Sequence, residues 1–248
     1  MSIACGRLLA VASGKGGVGK TWFAITLAHA LSREGRRVLL FDGDLGLANV
    51  DIQLGLTPTR DLAAMLAGRA SLADCVLRYA PGGFDIVAGQ SGSGALASLD
   101  GAALEACLAA LRDAARRYDL VLLDLGAGLE SGVRRMAAFA DQLLVLATEE
   151  PTSLTDAYAV LKLHAADRPG GDAGVVVNQA ASRAGGERTH ATLLRACQAF
   201  LGTSPPLAGV VRRDERVREA IRRQAPLLTR HPTSIAAADV EAIARILL

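Results

Sequence analysis

The sequence predicts an α/β fold: a doubly wound, mostly parallel sheet with helices on both faces. Three observations carry that expectation. Seven short runs recur along the 248 residues, apolar nearly throughout rather than alternating with polar positions, as strands covered on both faces require. Longer segments with helical spacing lie between them, the strand, helix, strand rhythm of a parallel sheet. A glycine-rich stretch, SGKGGVGKTW (13–22), joins the first run to the first helical segment, where an open α/β sheet places its ligand loop.

In order, the expected strands are RLLAVAS (7–13), RRVLLFD (36–42), FDIVAG (84–89), YDLVLLD (118–124), QLLVLAT (142–148), GVVVN (174–178) and LAGVV (207–211). The helical segments are 20–34, 100–117, 152–166, 188–201, 214–224 and 234–247. GQSGSGALASLD (89–100) reads as a surface loop and helix entry. No repeat or low-complexity linker divides the chain, so residues 1–248 are expected to form a single phosphate-loop domain, for which the length is ample.

Composition narrows the class further. The chain is 51% hydrophobic and 21% charged, yet no stretch approaches the ~18 apolar residues of a membrane span. Arg7 interrupts the one apolar run before the glycine loop, too early for a signal peptide. A cytoplasmic protein is expected. The net charge of +2 is too small to argue for a phosphate-backbone partner. Cysteines at 5, 75, 107 and 197 are too far apart for a metal knuckle or redox pair and read as reduced apolar residues. Histidines at 29, 164, 190 and 231 are scattered over different elements and suggest neither a metal set nor catalysis.

Gly14, Gly19, Lys20 and Thr21 satisfy G-x-x-x-x-G-K-[ST] between a strand and a helix. In such a loop, here with Gly16, Gly17 and Val18 inside it, backbone N–H groups turn inward around phosphates and the helix N-terminus adds positive potential. Lys20 then reaches the β- and γ-phosphates, and the Thr21 hydroxyl is a ligand for Mg²⁺. A hydrolase needs further oxygen ligands for the metal and the attacking water, and two acidic clusters follow strands. FDGDLGLANVD carries Asp42 and Asp44; YDLVLLDLGAG ends its strand at Asp124, with Gly126 and Gly128 permitting backbone approach to a γ-phosphate. Asp124, Thr21 and Asp44 are therefore the candidate metal set, with Mg²⁺ and a nucleotide's phosphates the expected ligands. The chain has three lysines against 24 arginines, and two of the three, Lys15 and Lys20, stand in this loop. From the residues alone, the extra charge of Lys15 points at phosphate or at solvent.

These motifs resemble the deviant Walker A ATPases that include MinD and ParA, whose signature is KGGVGKT. Within that family the chain is similar to the flagellar number regulators FlhG and FleN in DGDLGLANVDIQLGL, DLGAG and EEPTSLTDAYAVLK, over Arg7 to about Leu247. The resemblance implies slow, Mg²⁺-dependent ATP hydrolysis coupled to formation of a homodimer, as a switch regulating flagellar number or placement. It implies that Lys15 crosses the dimer interface to the partner's nucleotide, making Asp44, Lys15 and Lys20 the catalytic set. Asp44 orients the hydrolytic water, Asp124 binds Mg²⁺ through water, Asn178 contacts adenine, Glu150 touches the partner's nucleotide, and Asn49 helps close the dimer. A regulatory protein partner is implied, a flagellar GTPase or a transcription regulator. A ParA-like DNA or cargo partitioning ATPase is the alternative.

Departures from the family pattern are visible. Trp22, in the nucleotide-binding loop, stands where many relatives carry a second Thr or Ser, so an α-phosphate hydroxyl contact is lost; Leu125 replaces the Pro or Thr often found after the metal aspartate. The chain begins almost directly with its first strand, without the N-terminal glutamine-containing motif through which flagellar members stimulate their GTPase. TSIAAADVEAIARILL places Ile235, Val240, Ile243, Ala244 and Leu247 near one stripe and lacks a basic tail, which favours a closing helix over a membrane anchor. RRDERVREAIRRQ (212–224) has six arginines against three acids and reads as a solvated helix with Val217, Ala220, Ile221 and Gln224 inward. It is also the place to look for DNA.

Overall fold

All seven expected strands form, and an eighth joins them at one edge. The computed structural model describes residues 6–44, 48–89 and 101–248. Along the chain these are β1 (Arg7–Ser13), α1 (Lys20–Arg33), β2 (Val38–Gly43), α2 (Val50–Leu54), α3 (Leu62–Leu66), a 3-10 turn (Ala73–Cys75), β3 (Val76–Tyr79) and β4 (Phe84–Val87). Then come α4 (Gly101–Ala114), β5 (Leu120–Ala127), α5 (Ser131–Phe139), β6 (Gln142–Ala147), α6 (Pro151–Asp167) and β7 (Asp172–Ala180). The chain ends with α7 (Arg183–Leu201), β8 (Leu207–Arg212), α8 (Glu215–Arg222), α9 (Leu227–Arg230) and α10 (Ile235–Leu247).

The strands lie in the order β3-β4-β2-β5-β1-β6-β7-β8, parallel throughout except for β3, which pairs antiparallel with β4. The central strand explains why the runs do not alternate. Leu9 and Val11 of β1 enter one core with α1, α9 and α10, while Leu8, Ala10 and Ala12 enter a second with α4 to α7. Both faces are buried, so both residue sets must be apolar. A fully buried leucine of this kind contributes about 1.5–3 kcal/mol, so a polar residue at any of these positions works directly against the sheet.

β1 pairs with β5 on one side and β6 on the other, so successive crossovers leave it in opposite directions. That reversal of strand order opens a crevice at the carboxyl end of β1. The glycine loop occupies it.

Differences from the expected elements have local causes. β3 is four residues long and mostly half-exposed, too short and one-sided to give an apolar run. α7 starts at Arg183 rather than 188, because the Ser182 hydroxyl caps it by accepting from Gly185 N–H and Gly186 lies against Val210, so its first turn shows no apolar period. α5 buries only Met136 and Ala137, and α2, α3 and α9 have five residues or fewer. The segment read as a loop and helix entry falls mainly on residues 90–100, and Cys5 on residues 1–5; both lie outside the described residues. Cys75, Cys107 and Cys197 are free and buried, as expected.

α10 packs on α1 and β8 and buries Val240, Ile243, Ala244 and Leu247. Ile235, assigned to the same stripe, is instead half-exposed, because it opens the helix beside the Ser234 cap. Gln224 does not face inward either. It follows the end of α8 with a left-handed φ of 50°, and its amide donates to the Ile52 carbonyl at 2.9 Å. No helix among the described residues is long and apolar enough to cross a membrane.

Candidate functional site

The glycine loop leaves β1 at Ser13, whose hydroxyl donates to the Lys15 carbonyl at 2.9 Å and whose own carbonyl accepts from Gly128 N–H at 3.0 Å. The loop is packed against α6. A Cβ on Gly14 would stand 2.4 Å from the Asp156 carbonyl oxygen, and one on Gly19 would stand 2.6 Å from the Asn178 amide nitrogen. Gly19 is also left-handed, with φ of 87°, so no other residue fits there without strain. The loop is braced from the far side, where Asn178 donates to the Val18 carbonyl at 2.7 Å and Gln179 to that of Gly17 at 3.4 Å. Gln179 is held at a φ of 56°, unusual for a residue with a side chain.

α1 begins at Lys20 with no side-chain cap and no acid in its first turn, whereas α3, α7, α8 and α10 are capped by Asp61, Ser182, Asp214 and Ser234. Its first N–H groups are left for an anion. Lys20 Nζ is buried 3.8 Å from Asp124 Oδ1. Asp124 is fully buried beside Lys20 and the Thr21 hydroxyl, and neither of its oxygens meets full hydrogen-bond geometry with a partner among the described residues. Burial raises its carboxyl to about 6, opposed by the Lys20 charge and the Thr21 hydroxyl. Two buried carboxylate oxygens short of full hydrogen bonds, a buried ammonium and an uncapped helix N-terminus suit a phosphate chain with a divalent cation.

Asp42 stands beside Asp124 in the β2–β5 register. One of its oxygens accepts from Asn49 and Val50 N–H, both at 3.2 Å, and the other from Asp44 N–H at 3.3 Å. Burial raises it to about 7, the charge of Asp124 adding to the shift. Asp42 thus pins both ends of the segment from Asp44 to α2. Asp44 itself lies against Gly126, where an added Cβ would be 3.3 Å from its Oδ1. Leu45, Gly46 and Leu47 lie outside the described residues.

Lys15 is elsewhere. Its Nζ donates to Glu150 Oε2 at 2.7 Å and to the Thr152 hydroxyl at 3.2 Å, at the start of α6. The pair is exposed, with 40% and 65% of the two side chains accessible. The Lys15 bond holds the Glu150 carboxyl below its usual range, with Arg213 adding a smaller pull.

A cavity of about 280 Å³ runs from Gly17 and Gly19 past Trp22, Asn178 and Gln179 to Val217 and Ile221 of α8. The structure therefore gathers Gly14 to Trp22, Asp44, Asp124, Gly126 and Asn178 at one sheet edge, with Glu150 at its rim on Lys15. Sequence reading missed Asp42's tether, Thr152, Gln179 and the α8 wall. Gln179 stands directly after Asn178, and Asp42, Val217 and Ile221 were visible as an acid at a strand end and as an inward helix face, but not in these roles. Arg212, grouped with the basic patch, is instead held by buried Asp239 through bonds of 2.7 and 2.9 Å.

Residues 9–227 match the CobQ/CobB/MinD/ParA nucleotide binding domain family, CbiA. The antiactivator FleN of Pseudomonas aeruginosa is 39% identical over 239 residues, 96% of this chain and 85% of FleN. Among solved structures, the cell division ATPase MinD of Pyrococcus furiosus has a TM-score of 0.83 at 26% identity, over 98% of both chains. MinD of Pyrococcus horikoshii OT3, complexed with Mg-ADP, shares the fold with a TM-score of 0.81 at 24% identity, over 97% of this chain and 95% of that one. The sheet, the loop and the resemblance to flagellar members agree: the chain belongs to the MinD/ParA family of phosphate-loop, nucleotide-binding ATPases.

Proposed function

We propose that this protein is a cytoplasmic, ATP-dependent dimerising switch that hydrolyses ATP slowly and regulates flagellar number or placement. The observation that carries the switch is the separation of its two loop lysines: Lys20 is buried at Asp124, while Lys15 stands exposed on Glu150 and Thr152. Lys20 and the loop N–H groups bind the phosphates of their own nucleotide. Thr21 and Asp124 would hold Mg²⁺, with Asp44 beside them, and the metal would supply charge neutralisation on the phosphates. Asp44 orients the attacking water. No strong base accompanies it, so positioning supplies most of the rate and turnover is slow. Because an exposed ion pair is weak, Lys15 can exchange Glu150 for the phosphates of a facing subunit, where exclusion of water strengthens the contact.

Asp44→Ala tests this directly. It removes the water-orienting carboxylate and no phosphate contact, so the variant should lose hydrolysis and accumulate as an ATP-bound dimer on size exclusion. An ATP-loaded monomer would contradict the assignment. The flagellar output and a regulatory protein partner rest on the 39% identity to an antiactivator. Counting flagella in cells carrying Lys20→Ala tests them, with altered numbers expected and unchanged numbers against.

A DNA or cargo partitioning role draws on α8 and the residue that follows it, where Arg216, Arg222 and Arg223 are exposed and form no ion pair among the described residues. ATP-dependent retention on DNA, lost at high salt, would favour it over the regulator.

A further inference from the structure

Trp22 is the one tryptophan of the chain. It occupies the third position of α1, next to Thr21, and is 6% exposed. It lines the cavity beside the glycine loop, together with Asn178, Val211, Val217 and Ile221 among others. The cavity is divided in character. Toward Gly17 and Gly19 it opens on the uncapped helix N-terminus, suited to phosphate. Away from the loop its lining combines Trp22, Val211, Val217 and Ile221 with the amides of Asn178 and Gln179 and with charged side chains of β8 and α8, among them Arg213 and Arg218. A flat heterocycle with hydrogen-bonding edges, joined to an anionic chain, matches both ends.

We propose that Trp22 is a specificity-determining residue, the wall on which the base of the bound nucleotide packs, so that base recognition is separable from phosphate binding by the loop. The proposal rests on the nucleotide-site reading above. It assigns a positive role to a position where a hydroxyl contact to phosphate is missing. Stacking on an aromatic ring tolerates any base but strengthens with ring area, so purine nucleotides bind more tightly than pyrimidine ones.

The test compares ADP with inorganic tripolyphosphate, which has the phosphates but no base, by calorimetry and by intrinsic fluorescence. In the wild-type protein ADP should bind and change the emission of Trp22 saturably, at the affinity calorimetry gives. Tripolyphosphate should bind and change it little, and CDP should bind more weakly than ADP. Trp22→Leu should lose about tenfold in ADP affinity while holding tripolyphosphate as before, and Trp22→Phe, which keeps a ring, should recover most of the loss. Unchanged ADP affinity in Trp22→Leu would overturn the proposal. So would parallel loss of ADP and tripolyphosphate in both variants, which marks Trp22 as a structural support of α1. Failure of the wild-type protein to bind either ligand would overturn the nucleotide-site reading itself, and this proposal with it.

Discussion

Two lysines five positions apart in one loop end in opposite surroundings, one buried against a carboxylate and one exposed on the rim. At this scale sequence patterns were most informative, because the glycine motif fixes a backbone and the backbone fixes where Lys20 and Thr21 point. Lys20→Ala should therefore abolish nucleotide binding measured by calorimetry, and retained affinity would refute the loop assignment. Asp42 was legible as acidic and as lying at a strand end, but not as a tether, because its partners are N–H groups seven and eight residues away. His29 shows another effect invisible in sequence. Burial lowers it to about 4, with Arg33 adding to the shift. Between pH 6.5 and 4 the unfolded chain takes up a proton that the folded chain refuses, so stability falls as pH drops through that window and levels off below it. The shift corresponds to about 3 kcal/mol. In urea titrations, His29→Leu should lose less stability than the wild-type protein on going from pH 7 to pH 4. Parallel losses would mean that His29 does not titrate abnormally.

Among the elements, those that bury a full face were legible: β1, β5, β7, α1 and α6 all announce themselves through long apolar patterns. The short or edge elements β3, α2, α3 and α9 were not, since four or five residues carry no measurable period. What joins elements was equally hidden. Arg212 at the end of β8 read as part of a solvated basic helix, yet it donates side-chain and backbone hydrogen bonds to Asp239 of α10. Asp239 is buried, so Asp239→Ala leaves a part-buried guanidinium and a backbone N–H unpaired and should cost about 2–3 kcal/mol by urea denaturation. A loss below ~0.5 kcal/mol, the range of ordinary surface substitutions, would mean the bond does not tie β8 to α10. Gln224 links the end of α8, a wall of the cavity beside the glycine loop, to α2 through the Ile52 carbonyl. Gln224→Ala should speed amide hydrogen exchange in residues 50–56 with little change in β1 or β5. Equal protection in the variant would show that the Gln224 bond does not hold α2.

Across the whole molecule, the strand order does the positioning. β1 lies between β5 and β6, so the glycine loop, Asp124 in the C-terminal half of β5, and Lys15 with Glu150 after β6 converge on one sheet edge. Fold and family were legible from the strand rhythm and KGGVGKT together. The resting place of Lys15 was not, because Thr152 and Glu150 approach it only through the crossover to α6. The central claim is that Lys20 serves its own nucleotide and Lys15 a facing subunit's. Mixing Lys15→Ala protein with Asp44→Ala protein in the presence of ATP, and measuring phosphate release, tests it most directly. Each variant alone should be inactive. In a mixed dimer the site within the Lys15→Ala subunit keeps its own Asp44 and receives Lys15 from its partner, so hydrolysis should return at one site of the two. If mixed dimers form and phosphate release stays at the level of the separate variants, Lys15 does not act across the interface and the account fails.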